Sequence, residues 1–212
     1  MSADVVVVDY GVGNLLSVTR ALLHVGANPI QTSNPADLAS AERLVLPGVG
    51  AFGDGMNGLA QAGLIDAVRR FAETERPFLG ICLGMQMMLQ TSDEFGSNEG
   101  LGLVPGKVVA IPPVGTDGRP HKIPHIGWNS LSPVENDWAG TILDGIPVGS
   151  AAYFVHSFMA TPVDPAHRLA DCDYDGHPIA AVIRKGALNG CQFHPEKSGP
   201  VGLRILENFL KQ

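Results

Sequence analysis

Residues 4 to 10 read "DVVVVDY", four consecutive β-branched residues between two acids. A strand with one wet face alternates apolar and polar residues. An unbroken apolar run of this kind belongs to a strand covered on both faces. It is followed by "GVGN" and then "LLSVTRALLHVG", with apolar residues at helical spacing and a closing glycine. The unit is strand, glycine turn, helix.

The unit recurs. "NPIQTS" reads as a second strand, and "RLVLPGVGAF" as a third that ends in glycines. "GLIDAVRRFAETER" is amphipathic, "PFLGI" is a fourth strand, and "LGMQMMLQTS" reads as the helix after it. Strands alternating with helices imply a parallel sheet with helices on both faces.

After Gly96 the pattern changes. "GLVPGKVVAIPP", "IPHIGWNSL", "AAYFVHSFMAT" and "RLADCDYDGHPIAAVIRKGALNGCQF" are short strands between Gly, Pro and Asp turns. "DYDGHPI" and "RKGALNG" read as hairpins, and "VGLRILENFLKQ" as a closing amphipathic helix. No stretch reads as a linker, so the two halves are expected to share one sheet. The expectation is an α/β fold in one domain over residues 1–212. It has an open, mostly parallel central sheet flanked by helices, with additional antiparallel strands in the C-terminal half.

Net charge is −7 and no Lys/Arg cluster appears, which makes nucleic acid a poor partner. No apolar run is long enough to cross a membrane, and the start carries no positive region. Three cysteines, Cys82, Cys172 and Cys191, are odd in number and widely spaced. That argues against a disulfide scaffold or a zinc ribbon and fits a reducing cytoplasm with one functional thiol. No metal and no cofactor are expected.

The candidate thiol is Cys82, in Gly80-Ile81-Cys82-Leu83-Gly84 between a strand and a helix. This is the cysteine form of a nucleophile elbow. A sharp turn pushes the side chain out of the sheet, and the crowding calls for glycine two residues to either side. Backbone N–H groups at a helix start favour thiolate over thiol. The Leu83 N–H points to where an oxyanion would form. The competing reading makes Cys82 a small core hydrophobe.

A partner decides between them. In "GCQFHPEKSG", residues 190 to 199, an apolar strand ends at Phe193 and His194, Pro195 and Glu196 follow. Residues two apart in an extended chain share a face. Glu196 can then orient one nitrogen of His194 and leave the other for a thiol. Pro195 biases His194 to the extended region.

A "PGVG" loop after a strand, "GICLGMQ", and "HPE" at a late strand end together resemble the class I (triad) glutamine amidotransferase family. The likeness spans nearly the whole chain. "DYGVGNLLSV", "PHIGWNSL", "YFVHSF" and "FHPEKSG" narrow it, resembling glutaminase subunits of imidazole glycerol phosphate synthase, of histidine biosynthesis. The resemblance implies a Cys82, His194, Glu196 triad acting through a glutamyl thioester. It also implies a second oxyanion donor, Val49 N–H, beside Leu83 N–H; each such donor is worth roughly 3 kcal/mol of barrier. Gly48 and Gly50 would let that loop approach the substrate, though the local sequence alone reads equally as a plain glycine turn.

Gln86, one turn after Cys82, lies on the same helix face and can reach a substrate beside the thiol. The family match supports it as a ligand of glutamine. Glu94 would answer the substrate ammonium, and the backbone around Ser157 and Phe158 its carboxylate. His125 and His156 lie in apolar strands and are read as core or interface residues without a catalytic role.

By resemblance, ammonia passes through a channel to a cyclase subunit, a (β/α)8 barrel. Gly11, Asn14, Trp128, Tyr153 and Lys197 are the expected docking residues. The competing readings are an amidotransferase subunit of another synthase, such as the vitamin B6 one, a cysteine hydrolase on a related fold, and a regulator with a fossil site.

Overall fold

A computed structural model describes residues 3–135 and 137–212. The first half contains strands β1 (Ala3–Val8), β2 (Ala27–Thr32), β3 (Leu44–Leu46) and β4 (Phe78–Ile81). Among them run helices α1 (Leu15–His24), α2 (Pro35–Ser40), α3 (Phe52–Gln61) and α4 (Ile65–Ala72). After β4 come a short helix α5 (Leu83–Met87), then β5 (Leu89–Ser92), β6 (Asn98–Glu99) and β7 (Val104–Ala110). The remaining strands are β8 (His125–Ser130), β9 (Ser132–Pro133), β10 (Ala151–His156), β11 (Phe158–Pro162), β12 (Arg168–Tyr174), β13 (His177–Lys185) and β14 (Leu188–Cys191), and helix α6 (Gly199–Leu210) closes the chain.

The central sheet has eight strands in the order β2-β1-β3-β4-β14-β13-β12-β9. The pairings from β2 through β14 are parallel, and those from β14 to β9 antiparallel. The two halves of the chain therefore meet in one sheet, at the β4–β14 pair. The sharing is partial, however. β11-β7-β5-β6 form a separate four-stranded sheet and β10-β8 a two-stranded ribbon.

The valine run explains the layering. Val5 and Val7 pack on one face with α1 and α6, through Val18, Leu22, Ile205 and Phe209. Val6 and Val8 pack on the other with Leu38 of α2, Leu59 of α3 and Phe71 of α4. Alternate side chains of one strand thus enter two cores, as the strand period of two requires.

The segment after Cys82 departs from the sequence reading, which took "LGMQMMLQTS" as one helix. The helix stops at Met87, and Leu89–Ser92 is a strand. Leu101 N–H donates to Met87 O (2.8 Å), and Leu103 and Val104 N–H to Met88 O (2.9 and 3.0 Å). Those carbonyls are taken by another segment, and Leu89 pairs in parallel with Val104. Tertiary pairing here overrides helix propensity. Among the described residues, no helix is long and apolar enough to cross a membrane.

Candidate active site

β3, β4 and β14 are adjacent parallel strands, so their C-terminal ends open onto one edge of the sheet, where α/β proteins bind ligands. Pro47 and Gly48 follow β3, Cys82 follows β4, and His194 lies just past β14. Cys82 N–H donates to Cys191 O at 2.7 Å, extending the β4–β14 ladder up to the thiol.

The elbow is strained. Cys82 has φ 52° and ψ −109°, a left-handed conformation that a residue with Cβ rarely adopts. The flanking glycines are there for space. A Cβ on Gly84 would lie 1.8 Å from Leu46 O, and one on Gly80 2.8 Å from Met85 Cα. Cys172 and Cys191 are fully buried; burial pushes the Cys172 thiol up to about 12 and raises Cys191 as well. Cys82 is the cysteine that lines a cleft.

His194 is extended, as expected, but residues 195–197 form a 3-10 turn and not an extended run. The turn delivers the same pairing: His194 Nδ1–H donates to Glu196 Oε1 at 2.7 Å, and both side chains are almost wholly buried. The backbone is pinned by His194 N–H to Tyr153 O (3.0 Å) and by Ser198 Oγ–H to His194 O (2.7 Å). His194 Nε2 and Glu196 Oε2 are buried and make no hydrogen bond of regular geometry. Burial lowers the pKa of His194, but interaction with the Cys82 sulfur and the Glu196 carboxylate outweighs it and raises the value to about 9. Hydrogen bonding and charge attraction from the sulfur and the carboxylate, which favour the protonated ring, account for that direction.

A cleft of about 290 Å³ lies over the thiol. Its lining includes Cys82, His194, Val49, Gly50, Leu83 and Gln86, and beyond them Glu94, Ser157 and Phe158. Three expectations need correcting in detail. Gly48 does not line the cleft; a Cβ there would sit 2.6 Å from the Tyr10 hydroxyl and 2.9 Å from Leu83 Cβ. The Leu83 N–H, expected to be open to an oxyanion, donates to Gly48 O at 3.3 Å. Gln86 spends its amide N–H groups on Phe158 O and on Gln192 Oε1, both at 3.0 Å, so only its own oxygen can face a substrate. Glu94 Oε2 accepts from Phe52 N–H at 2.7 Å, which holds its carboxylate at the rim.

Of the expected docking residues, Trp128 is 59% exposed and meets the Tyr153 ring edge-on, with centroids 6.0 Å apart. Lys197 is exposed at the end of the 195–197 turn, Gly11 is exposed with φ 82°, and Asn14 caps α1 by accepting from Ser17 N–H.

Two residues at the site were given no role by the sequence. His156 lines the cleft, donates from Nδ1 to Phe158 O (2.8 Å), and accepts at Nε2 from His125 Nδ1 (3.0 Å). Burial lowers both imidazoles to about 4. Gln192 is fully buried, with Nε2 3.8 Å from Cys82 Sγ. The available signal was a lone amide in the apolar "GCQF" just before the histidine.

Residues 6–212 match the family model described as glutamine amidotransferase class-I. The chain belongs to that family. Among curated relatives it is 57% identical over 211 residues to imidazole glycerol phosphate synthase subunit HisH 1 of Legionella pneumophila (strain Lens), covering 99% of each. It is 47% identical to the HisH subunit of Methylococcus capsulatus (strain Bath), covering 99% of this chain and 96% of the relative. Among solved structures, PurLQS from Thermotoga maritima superposes with a TM-score of 0.72 at 21% identity, covering 100% of this chain and 99% of that one, and speaks for the fold. The family fold is the α/β arrangement described above, its central sheet open and not closed into a barrel.

Proposed function

We propose that residues 1–212 form one glutaminase domain, the glutaminase subunit of an imidazole glycerol phosphate synthase, working in the cytoplasm beside a (β/α)8-barrel cyclase. The observation that carries the reading is the full-length likeness to HisH subunits on a chain whose cysteine elbow and buried His194–Glu196 pair share one cleft.

In this reading the Cys82 thiolate attacks the side-chain amide carbon of glutamine. His194, charged through its partners, gives its Nε2 proton to the departing nitrogen, so ammonia leaves and a glutamyl thioester remains. Neutral His194 then takes a proton from water, whose oxygen attacks the thioester. Glutamate departs, and thiolate and imidazolium are restored. Glu196 keeps Nδ1 protonated and the ring aimed. Gln86 Oε1 and the free oxygen of Glu94 accept from the substrate ammonium, and the backbone at Ser157 and Phe158 meets its carboxylate. For Leu83 N–H to hold the oxyanion together with Val49 N–H, the Gly48 carbonyl has to give it up; turning the 48–49 peptide rotates ψ of Gly48, which has no Cβ to restrict it.

The test is glutamate release from glutamine, with and without the cyclase and its nucleotide ligand. Release that needs both supports the reading. Release that needs neither makes the chain a free-standing glutaminase.

A further inference from the structure

A single backbone carbonyl fixes the direction of a chain of hydrogen bonds that ends on the nucleophile. Phe158 O can only accept. It receives Gln86 Nε2 at 3.0 Å, so the Gln86 amide is oriented. The same Nε2 donates to Gln192 Oε1 at 3.0 Å, so Gln192 is oriented in turn. That leaves Gln192 Nε2, a donor, 3.8 Å from Cys82 Sγ. Flipping the Gln192 amide would set two NH2 groups against each other and a carbonyl oxygen against sulfur. The other branch is fixed likewise: His156 Nδ1–H takes the second lone pair of Phe158 O, and His156 Nε2 accepts from His125.

An amide this deeply buried costs free energy unless both its ends are used. Gln192 is 0% exposed, one end held by Gln86 and the other directed at sulfur. We propose that Gln192 is a further catalytic residue: its side-chain N–H donates to the Cys82 sulfur and stabilises the thiolate, both before attack on glutamine and when sulfur leaves the thioester. A charge-assisted bond of this kind is stronger than its neutral counterpart, and sulfur carries its full charge at those two points. Gln86 acts through Gln192 as a positioning residue, besides facing the substrate. The inference rests on Cys82 being the nucleophile.

The test is the alkylation rate of Cys82 in the full chain by iodoacetamide at neutral pH, which needs no glutamine and so separates sulfur reactivity from substrate binding. Buried Cys172 and Cys191 do not compete. Gln192→Met, similar in length but without a donor, is expected to slow alkylation by about tenfold and to lower kcat in parallel, with KM moved less. Gln192→Glu keeps the acceptor for Gln86 but turns a carboxylate oxygen to sulfur, and is expected to slow alkylation further. Wild-type rates in both variants overturn the proposal. Should either variant fold poorly, the wild-type chain still decides: the side-chain amide NMR signals of Gln192 should shift when Cys82 is alkylated, and unmoved signals overturn the inference. Cys82→Ala in the glutaminase assay separates the two levels. Activity surviving in that variant removes the nucleophile itself, whereas its loss alongside wild-type alkylation in Gln192→Met removes only Gln192.

Discussion

His194 and His156 both line the cleft over Cys82, and burial lowers the pKa of each, yet it prevails at only one. His194 faces a thiol and a carboxylate and is raised to about 9. His156 is raised only by its bond to Phe158 O, is lowered further by His125 and His194, and falls to about 4. At neutral pH one wall of the cleft carries a mobile proton and the other carries none. Desolvation is common to both, so the partners decide the role. A buried imidazole becomes an acid–base group when anions surround it and a fixed hydrogen-bonding strut when they do not.

The largest test removes the sulfur beside His194. Cys82→Ala should abolish glutamine hydrolysis while external ammonia still supports the synthase reaction in the complex. In the same variant the His194 ring should titrate well below the wild-type value of about 9, because Glu196 alone then opposes burial. Imidazole nitrogen shifts across a pH series read this directly. A midpoint that stays near the wild-type value would mean that sulfur is not the partner holding the proton.

Glu196→Gln keeps the shape of the pair and removes its charge. Loss of the orienting carboxylate is expected to lower kcat by about 10²- to 10⁴-fold with KM little changed. The His194 midpoint should fall here as well, and steady-state kinetics beside the same titration check both. A kcat within a few-fold of wild type would reduce Glu196 to a packing residue.

The neutral side should respond differently. His156→Phe removes the donor to Phe158 O and should raise KM for glutamine several-fold, leaving the pH–rate profile unchanged in form. A variant whose profile lost a limb would show that His156 exchanges protons in turnover and is no fixed strut.

How far the sequence reaches depends on whether a feature is local. The valine strand, the glycine-flanked Cys82 and the His194–Glu196 spacing are patterns within about ten residues, and each was legible. α3 was missed because "FGDGMNGLAQ" holds three glycines that lower its helix propensity. One of them, Gly55, leaves room for the Met87 side chain: a Cβ there would lie 2.8 Å from Met87 Sδ. β5 was misread because its pairing partner, β7, begins fifteen residues past its first residue. Gln192 and the engaged Leu83 N–H depend on segments up to 110 residues apart, a separation that no window on the sequence spans.

The smallest effect, and the one that puts both sides on one curve, is stability against pH. A histidine with a folded pKa below its unfolded value, about 6.5, stabilises the fold above that pH and loses the contribution as pH falls toward the folded value. His125 and His156 are both of this kind, with folded values of about 4. Between pH 6.5 and 4 the unfolded chain binds protons that the folded chain refuses, and the urea midpoint should decline. His194 has the opposite sign. Its contribution is complete below about 6.5 and is lost as pH rises through about 9. The urea midpoint should therefore be highest near pH 6.5 and fall on both sides. His156→Phe should flatten only the acid limb and Cys82→Ala only the alkaline one. A single substitution that flattened both limbs would mean the two imidazoles titrate as one coupled group, and the contrast between the two walls of the cleft would be lost.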